Sequence, residues 1–289
     1  NFAPAFAPST INMISKAEVL ITPGPGRGLT TAEGLILKFP LLPASNPQHY
    51  IFTKDTYCKV GTGITQTCLV FPEQAWIVIP TLATAFPASV ESKVTIYNIQ
   101  NPPFVAALQG ALNVITVKAG REYEEVAYTS FDIFTAGTLE NANVIPSHYE
   151  ANMVDVEYNW IFVPNDPIPA GGTIELTFPP NTYNLESNPP VIGTVLEGLS
   201  DINSNTAVTF SFAINVAKIT NFATVTNGTL IRISLRGVRN PVAETSTSYF
   251  AVKTYSPEGR TIDTITSIPG INIIKANPVG LIVFNYFYT

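Results

Sequence analysis

An all-β chain, built as two tandem antiparallel β-sandwich domains plus a C-terminal orphan strand, is the architecture that three features of these 289 residues predict. Runs such as "GTIELTF" (172–178), "KVTIYNI" (93–99), "AVTFSFAINV" (207–216) and "TLIRISLRGV" (229–238) alternate apolar and polar residues between Pro, Gly and Asn, the two-residue period of half-buried strands. No stretch keeps a capped 3.6-residue period, so helices are not expected. The chain also echoes itself: Asn101 and Asn240 each precede a proline and lie 139 positions apart, as do Phe39-Pro40 and Phe178-Pro179.

The register holds within the strands. Val94, Ile96, Asn98 and Ile99 stand where Ile233, Leu235, Gly237 and Val238 stand one interval later, while Thr95 and Tyr97 match Ser234 and Arg236 on the opposite face, so a strand is shared and not merely a loop. "INMI" (11–14) resembles "ANMV" (151–154), with "ANPV" (276–279) as a weaker third start. The domains predicted are a tail over 1–11, a sandwich over 12–151, a second over 152–276 and a strand of a following or neighbouring module over 277–289. Pro102 to Phe131 of "FDIFT" spans 29 positions and Pro241 to Phe250 of "FAVKT" only nine, which predicts an inserted hairpin near 105–128 in the first domain, turning at Ala119-Gly120. About seven short strands per ~125 residues suit an immunoglobulin-like sandwich; a jelly roll also fits, and no antibody-type Cys-Trp-Cys spacing is present.

The stretch "IFVPNDPIPAGGTIELTFPPNTY" (161–183), followed by "RGVRNPV" (236–242), resembles the repeats of large cell-surface proteins of ciliated protists, in which an Ig-like module opens with a Pro-Gly-Gly strand and closes with a Gly-x-x-Asn-Pro strand. In the first half "TPGPGRGLTTAEGLILKFP" replaces the opening and Asn98 the glycine. The resemblance implies an extracellular structural role and no chemistry.

Composition narrows the function. Hydrophobic residues make up 46% and charged ones only 12%, about half the usual share, so solubility falls to hydroxyl and amide side chains, to glycans or to burial in an assembly. A net charge of -6 with 15 scattered basic residues gives no reason to expect nucleic acid. No run reaches the ~18–20 apolar residues of a spanning helix, so no membrane insertion is expected. Asn1 opens without methionine or leader, as in a processed or excised stretch.

Site candidates are few. "TPGPGRGLT" (22–30) lacks the Gly-Lys-Ser/Thr and the helix of a phosphate-binding loop and reads as a flexible strand connection. Cys58 and Cys68 stand equidistant from Gly63 and suit a disulfide across a hairpin turn, a closure of about 11 residues and roughly 2.5–3 kcal/mol; without a histidine nearby they do not suit zinc. Asn227-Gly228-Thr229 is both a glycosylation sequon and an Asn-Gly hairpin turn of type I′. "DINSN" (201–205) begins like a calcium loop but has Phe212 at the twelfth position; Asn165-Asp166 and Glu122, Glu124 and Glu125 remain possible calcium ligands at an inter-domain joint or simply solvated edges. His49 and His148 define no nucleophile-and-base pair, so neither catalysis nor a cofactor is expected. Trp76 and Trp160 read as core, Tyr97 as a face residue.

What remains is "NPVGLIVFNYFYT" (277–289). Leu281, Val283, Phe284 and Phe287 would each lose roughly 1.5–3 kcal/mol if left in water, so this strand is expected to be buried in a following module of the same chain or inserted into another copy. The reading is an extracellular or cell-surface structural protein that partners copies of itself head to tail, carries glycans, and has carbohydrate recognition or adhesion as its alternative.

Overall fold

The structure, a computed structural model, describes residues 5–7, 10–39, 51–61, 64–103, 112–119, 121–128, 135–185, 189–202 and 207–275. The chain divides into two compact units, Asn1–Gly137 with Arg260–Ile262, and Thr138–Gly259 with Asp263–Thr289. Each is an Ig-like antiparallel β-sandwich.

The first unit contains β1 (Ala5–Ala7), β2 (Ile14–Ile21), β3 (Glu33–Lys38), β4 (Ile51–Val60), β5 (Ile64–Gln66), β6 (Leu69–Phe71), β7 (Trp76–Ile79), β8 (Ser92–Gln100), β9 (Leu112–Lys118) and β10 (Arg121–Tyr128). They form the sheets β1-β2-β8-β4-β5 and β10-β9-β3-β7-β6. Alternation sets the facing: β2 buries Ala17, Val19 and Ile21 and turns Lys16, Glu18 and Leu20 outward, so that one face is apolar and the other solvated. Leu35, Leu37, Ile77 and Ile79 come from the opposing sheet, and Phe39 meets Phe52 edge-on at 5.5 Å between the layers.

The second unit contains β11 (Leu139–Pro146), β12 (Val156–Pro164), β13 (Thr173–Thr177), β14 (Ile192–Glu197), β15 (Thr209–Ala213), β16 (Val216–Thr220), β17 (Ile231–Val238), β18 (Thr245–Ser246), β19 (Phe250–Tyr255), β20 (Thr261–Ile268) and β21 (Asn272–Ile273). Its sheets are β11-β12-β17-β14 and β15-β16-β13-β19-β20, with β18 and β21 as a small pair. Trp160 of β12 packs edge-on against Phe178 at 5.2 Å and Phe250 at 5.5 Å, and Tyr158 adds Tyr183 at 5.6 Å. These aromatics join the two layers, the geometry their quadrupoles prefer.

Both units share one strand order. In an antibody domain the first strand lies beside the second and the last beside the sixth. Here β2 and β12 lie beside β8 and β17, the place of the last strand, while β9 and β19 lie beside β3 and β13, the place of the first. First and last strands have exchanged sheets.

This order corrects two expectations. The hairpin β9–β10 is no insertion, because β19–β20 occupies the same place in the second unit; the likeness of "FDIFT" to "FAVKT" misled, since the buried Leu112 and Val114 are the counterparts of Phe250 and Val252. The boundary at 151/152 also moves. Leu139–Pro146 pairs with β12 and so belongs to the second unit, just as β1, within the predicted tail, pairs with β2. The C-terminal strand 277–289 lies outside the described residues.

The Asn-Pro echo proves to be a latch. Asn101 is fully buried; its backbone N–H donates to Met13 O at 2.9 Å, its Nδ2 to Thr10 O at 2.6 Å, and its Oδ1 accepts from Ser15 Oγ at 2.7 Å. Asn240 repeats each bond: its N–H donates to Met153 O at 2.9 Å, its Nδ2 to Glu150 O at 2.9 Å and His148 O at 3.0 Å, and its Oδ1 accepts from Tyr158 Oη at 2.6 Å. The proline that follows has no N–H to satisfy, and its carbonyl accepts from Asn12 or Asn152. Three residues upstream, Asn98 (φ 60) and Gly237 (φ 88) hold the left-handed conformation where the pairing to β2 and β12 skips a residue. Glycine and asparagine alternate there because both tolerate that bulge.

Two outcomes follow. Asn240→Ala leaves several buried groups unpaired and should lower the unfolding free energy by about 2–4 kcal/mol in urea titration, with Tyr158→Phe costing about 1 kcal/mol. Asn98→Gly should be tolerated within about 0.5 kcal/mol, whereas Asn98→Val should cost about 1–2 kcal/mol by the same measurement.

Candidate functional site

Leu281, Val283, Phe284 and Phe287 of the expected assembly strand lie outside the described residues. Two sheet edges are described. β11 borders β12 with Val144 opposite Trp160, Ile145 opposite Asn159 and Pro146 opposite Tyr158. Val144 is buried and Ile145 is 43% exposed. β1 borders β2 in the same way, Ala5 opposite Glu18 and Ala7 opposite Lys16. Beside β11, an open groove of about 450 Å³ is lined by Ile145, Tyr149, Ile271 and Ile274.

Cys58 and Cys68 are joined by a disulfide with their Cα atoms 6.0 Å apart. The hairpin β4–β5 carries it, but Cys58 pairs across the ladder with Gln66, so Cys68 lies two residues past its level and the bond ties down the chain leaving β5. Cys58→Ser/Cys68→Ser should cost about 2–3 kcal/mol by denaturant unfolding, and dithiothreitol should cause the same loss in the wild-type chain.

Asn227 is exposed at the turn Thr226–Thr229. The turn is not the expected type I′ hairpin: Gly228 alone has positive φ, at 75°, and the strands on either side, β16 and β17, belong to different sheets. Asn-Gly chemistry made a turn, but one that crosses between layers.

Among the polar candidates, the "TPGPGRGLT" segment is tied down, since Arg27 and the Thr30 amide both bond the buried Glu33 carboxylate at 2.7 Å; the Thr30 amide first, and Arg27 after it, hold that carboxyl below its usual range against the opposing effect of burial. Asp201 accepts from the Val208 amide at 3.0 Å, a turn contact. Glu122 pairs with Lys38 at 3.7 Å, Glu125 is exposed, and the Glu124 side chain and His49 lie outside the described residues. His148 Nδ1 lies 3.1 Å from Ser147 Oγ, a neighbour that pattern reading passed over, but this hydroxyl also accepts from the Glu157 amide at 3.0 Å and the pair is exposed. Among the described residues no three His, Cys, Asp or Glu side chains gather as metal ligands.

One buried carboxyl was not legible in the sequence. Asp263 is fully buried, accepts from the Asp166 amide at 3.2 Å and has an Oδ1 without a donor. Burial first, and the Asp166 carboxylate second, push its pKa up to about 8. The folded state therefore holds a proton that the unfolded chain releases near pH 4, and the stability tied to it is lost as pH rises from ~4 to ~8. Asp263→Asn should stabilise by about 1–2 kcal/mol at pH 7.5 and change little at pH 4.5, read as paired urea titrations.

The aromatic candidates separate. Trp160 is fully buried, as expected. Trp76 is half-buried on the outer face of its sheet, with Lys38 Nζ 4.6 Å above the ring, because it occupies an outward position of β7; the core reading does not hold for it. Tyr97 stacks on Tyr57 at 4.8 Å and 6°, with Lys59 5.3 Å above it, on the outer face of the first sheet.

No protein-family model matches the chain, and no curated protein matches it. Among solved structures, similarity extends to the C-terminal domain of the antigen I/II-family protein AspA of Streptococcus pyogenes (7% identity, 89% of this chain and 92% of that one, TM-score 0.29). It extends also to a serine-rich repeat protein of Streptococcus agalactiae (10%, 92% and 91%, 0.28) and the collagen adhesin of S. aureus (9%, 93% and 94%, 0.22). Scores this low carry no functional argument, and the fold assignment rests on the sheet order above. Nothing in them ties the chain to ciliate surface proteins. Among the described residues no helix is long and apolar enough to cross a membrane.

Proposed function

We propose that this chain is an extracellular structural protein whose two units are copies of one module, and that it assembles head to tail with copies of itself by strand donation. The supporting observation is β11: the segment that follows the first unit in sequence supplies the edge strand of the second unit's sheet. The apolar, proline-free 279–289 stretch has the composition of such a strand. The disulfide and the exposed Asn227 sequon fit an oxidising, glycosylating compartment. Sparse charge fits a surface destined for packing or sugar.

Sedimentation and negative-stain microscopy of the full chain should show end-to-end polymers, and deletion of 277–289 should leave monomers. Monomers from both chains would remove the proposal.

A second reading, a carbohydrate-binding or adhesive surface, is favoured by the coplanar Tyr57–Tyr97 pair, with Tyr57 38% exposed, a flat apolar platform flanked by Lys59. Binding on a glycan array that Tyr57→Ala abolishes would select it.

A further inference from the structure

We infer that the 277–289 segment takes the place of β1 on β2 of a second copy, in the register that β11 has on β12. This rests on the strand-donation reading and specifies its acceptor.

The register comes from paired bridges. Thr135 bridges Thr10 in parallel, and Ile274 bridges Glu150 in parallel, each beside its asparagine latch, so Ile274 is the counterpart of Thr135. Counting on from each, Val283 and Phe284 stand where Val144 and Ile145 stand. On the acceptor side, Glu18 faces Thr95 and Asn159 faces Ser234, so Glu18 is the counterpart of Asn159 and Val19 of Trp160. Val283 then meets Val19 on the core side, and Phe284 meets Glu18 on the outer side.

Sequence chemistry favours the exchange: Pro4 and Pro8 bracket Ala5–Ala7, and a proline has no N–H for a ladder. Residues 279–289, "VGLIVFNYFYT", contain no proline and are rich in β-branched and aromatic side chains, the preferred occupants of strands. Exchange therefore replaces a proline-bracketed edge with a proline-free one and sets Val283 on the core side. Sheet edges are the usual template for pairing between chains.

The test mixes full-length Glu18→Cys and full-length Phe284→Cys chains and treats them with a short thiol cross-linker, followed by peptide mass spectrometry. The expected product is an intermolecular 18–284 link, absent from either variant alone. Pro4→Ala/Pro8→Val, which restores two ladder donors to β1, should lower its yield at least threefold. A 284 link to a Tyr149→Cys variant in place of the 18–284 link would put the segment in the groove beside β11 and overturn the inference. Polymers that depend on 277–289 yet give no 18–284 link overturn it too, while leaving strand donation standing; chains that stay monomeric overturn both.

Discussion

The fold depends on a buried asparagine side chain that binds the end of one strand to the start of another. Asn101 and Asn240 each close a strand running down the centre of a sheet, and each fastens the segment that enters the unit. A buried amide demands partners for its donors and its acceptor, and here these are backbone carbonyls of the incoming chain and one hydroxyl, Ser15 or Tyr158. The entering strand is thereby held to β8 or β17 by hydrogen bonds as well as by its apolar face. The bulge at Asn98 or Gly237 aims the asparagine inward, so residues three apart act as one device.

That fastening accounts for the exchanged end strands. With its first strand tied to the sixth, each unit places its last hairpin against the second strand, in the other layer. β11, which follows the first unit in sequence, borders β12 in the second unit's sheet.

Much of this was legible in the sequence, and the failures have physical causes. Alternation in "KVTIYNI" and "TLIRISLRGV" identified strands with correct facing, because one side of each meets the opposing layer, although Thr95 and Ser234 on the other side are buried too. The 139-residue interval identified the latch positions, since only Asn and Gly suit the bulge and Asn-Pro the strand end. Sequence reading failed where it relied on local likeness, taking "FDIFT" for a strand partner of "FAVKT", and where it assigned β11 to the unit it follows. Periodicity reports which face of a strand is buried but not which sheet it joins. Asp263 was hidden for a related reason: a carboxylate in "TIDTITSI" reads as an outward residue until the layer above it is known.

The parallel bridges at Thr10–Thr135 and Glu150–Ile274 have a mechanical meaning. Within each unit the entering and departing segments run side by side in the same direction, so tension on the two ends drags them past one another. Hydrogen bonds loaded in shear share the force and break together, whereas an antiparallel pair pulled at one end unzips bond by bond. With the asparagine side chain bonding the same entering segment, each sandwich is closed at the point where tension on its two ends would act.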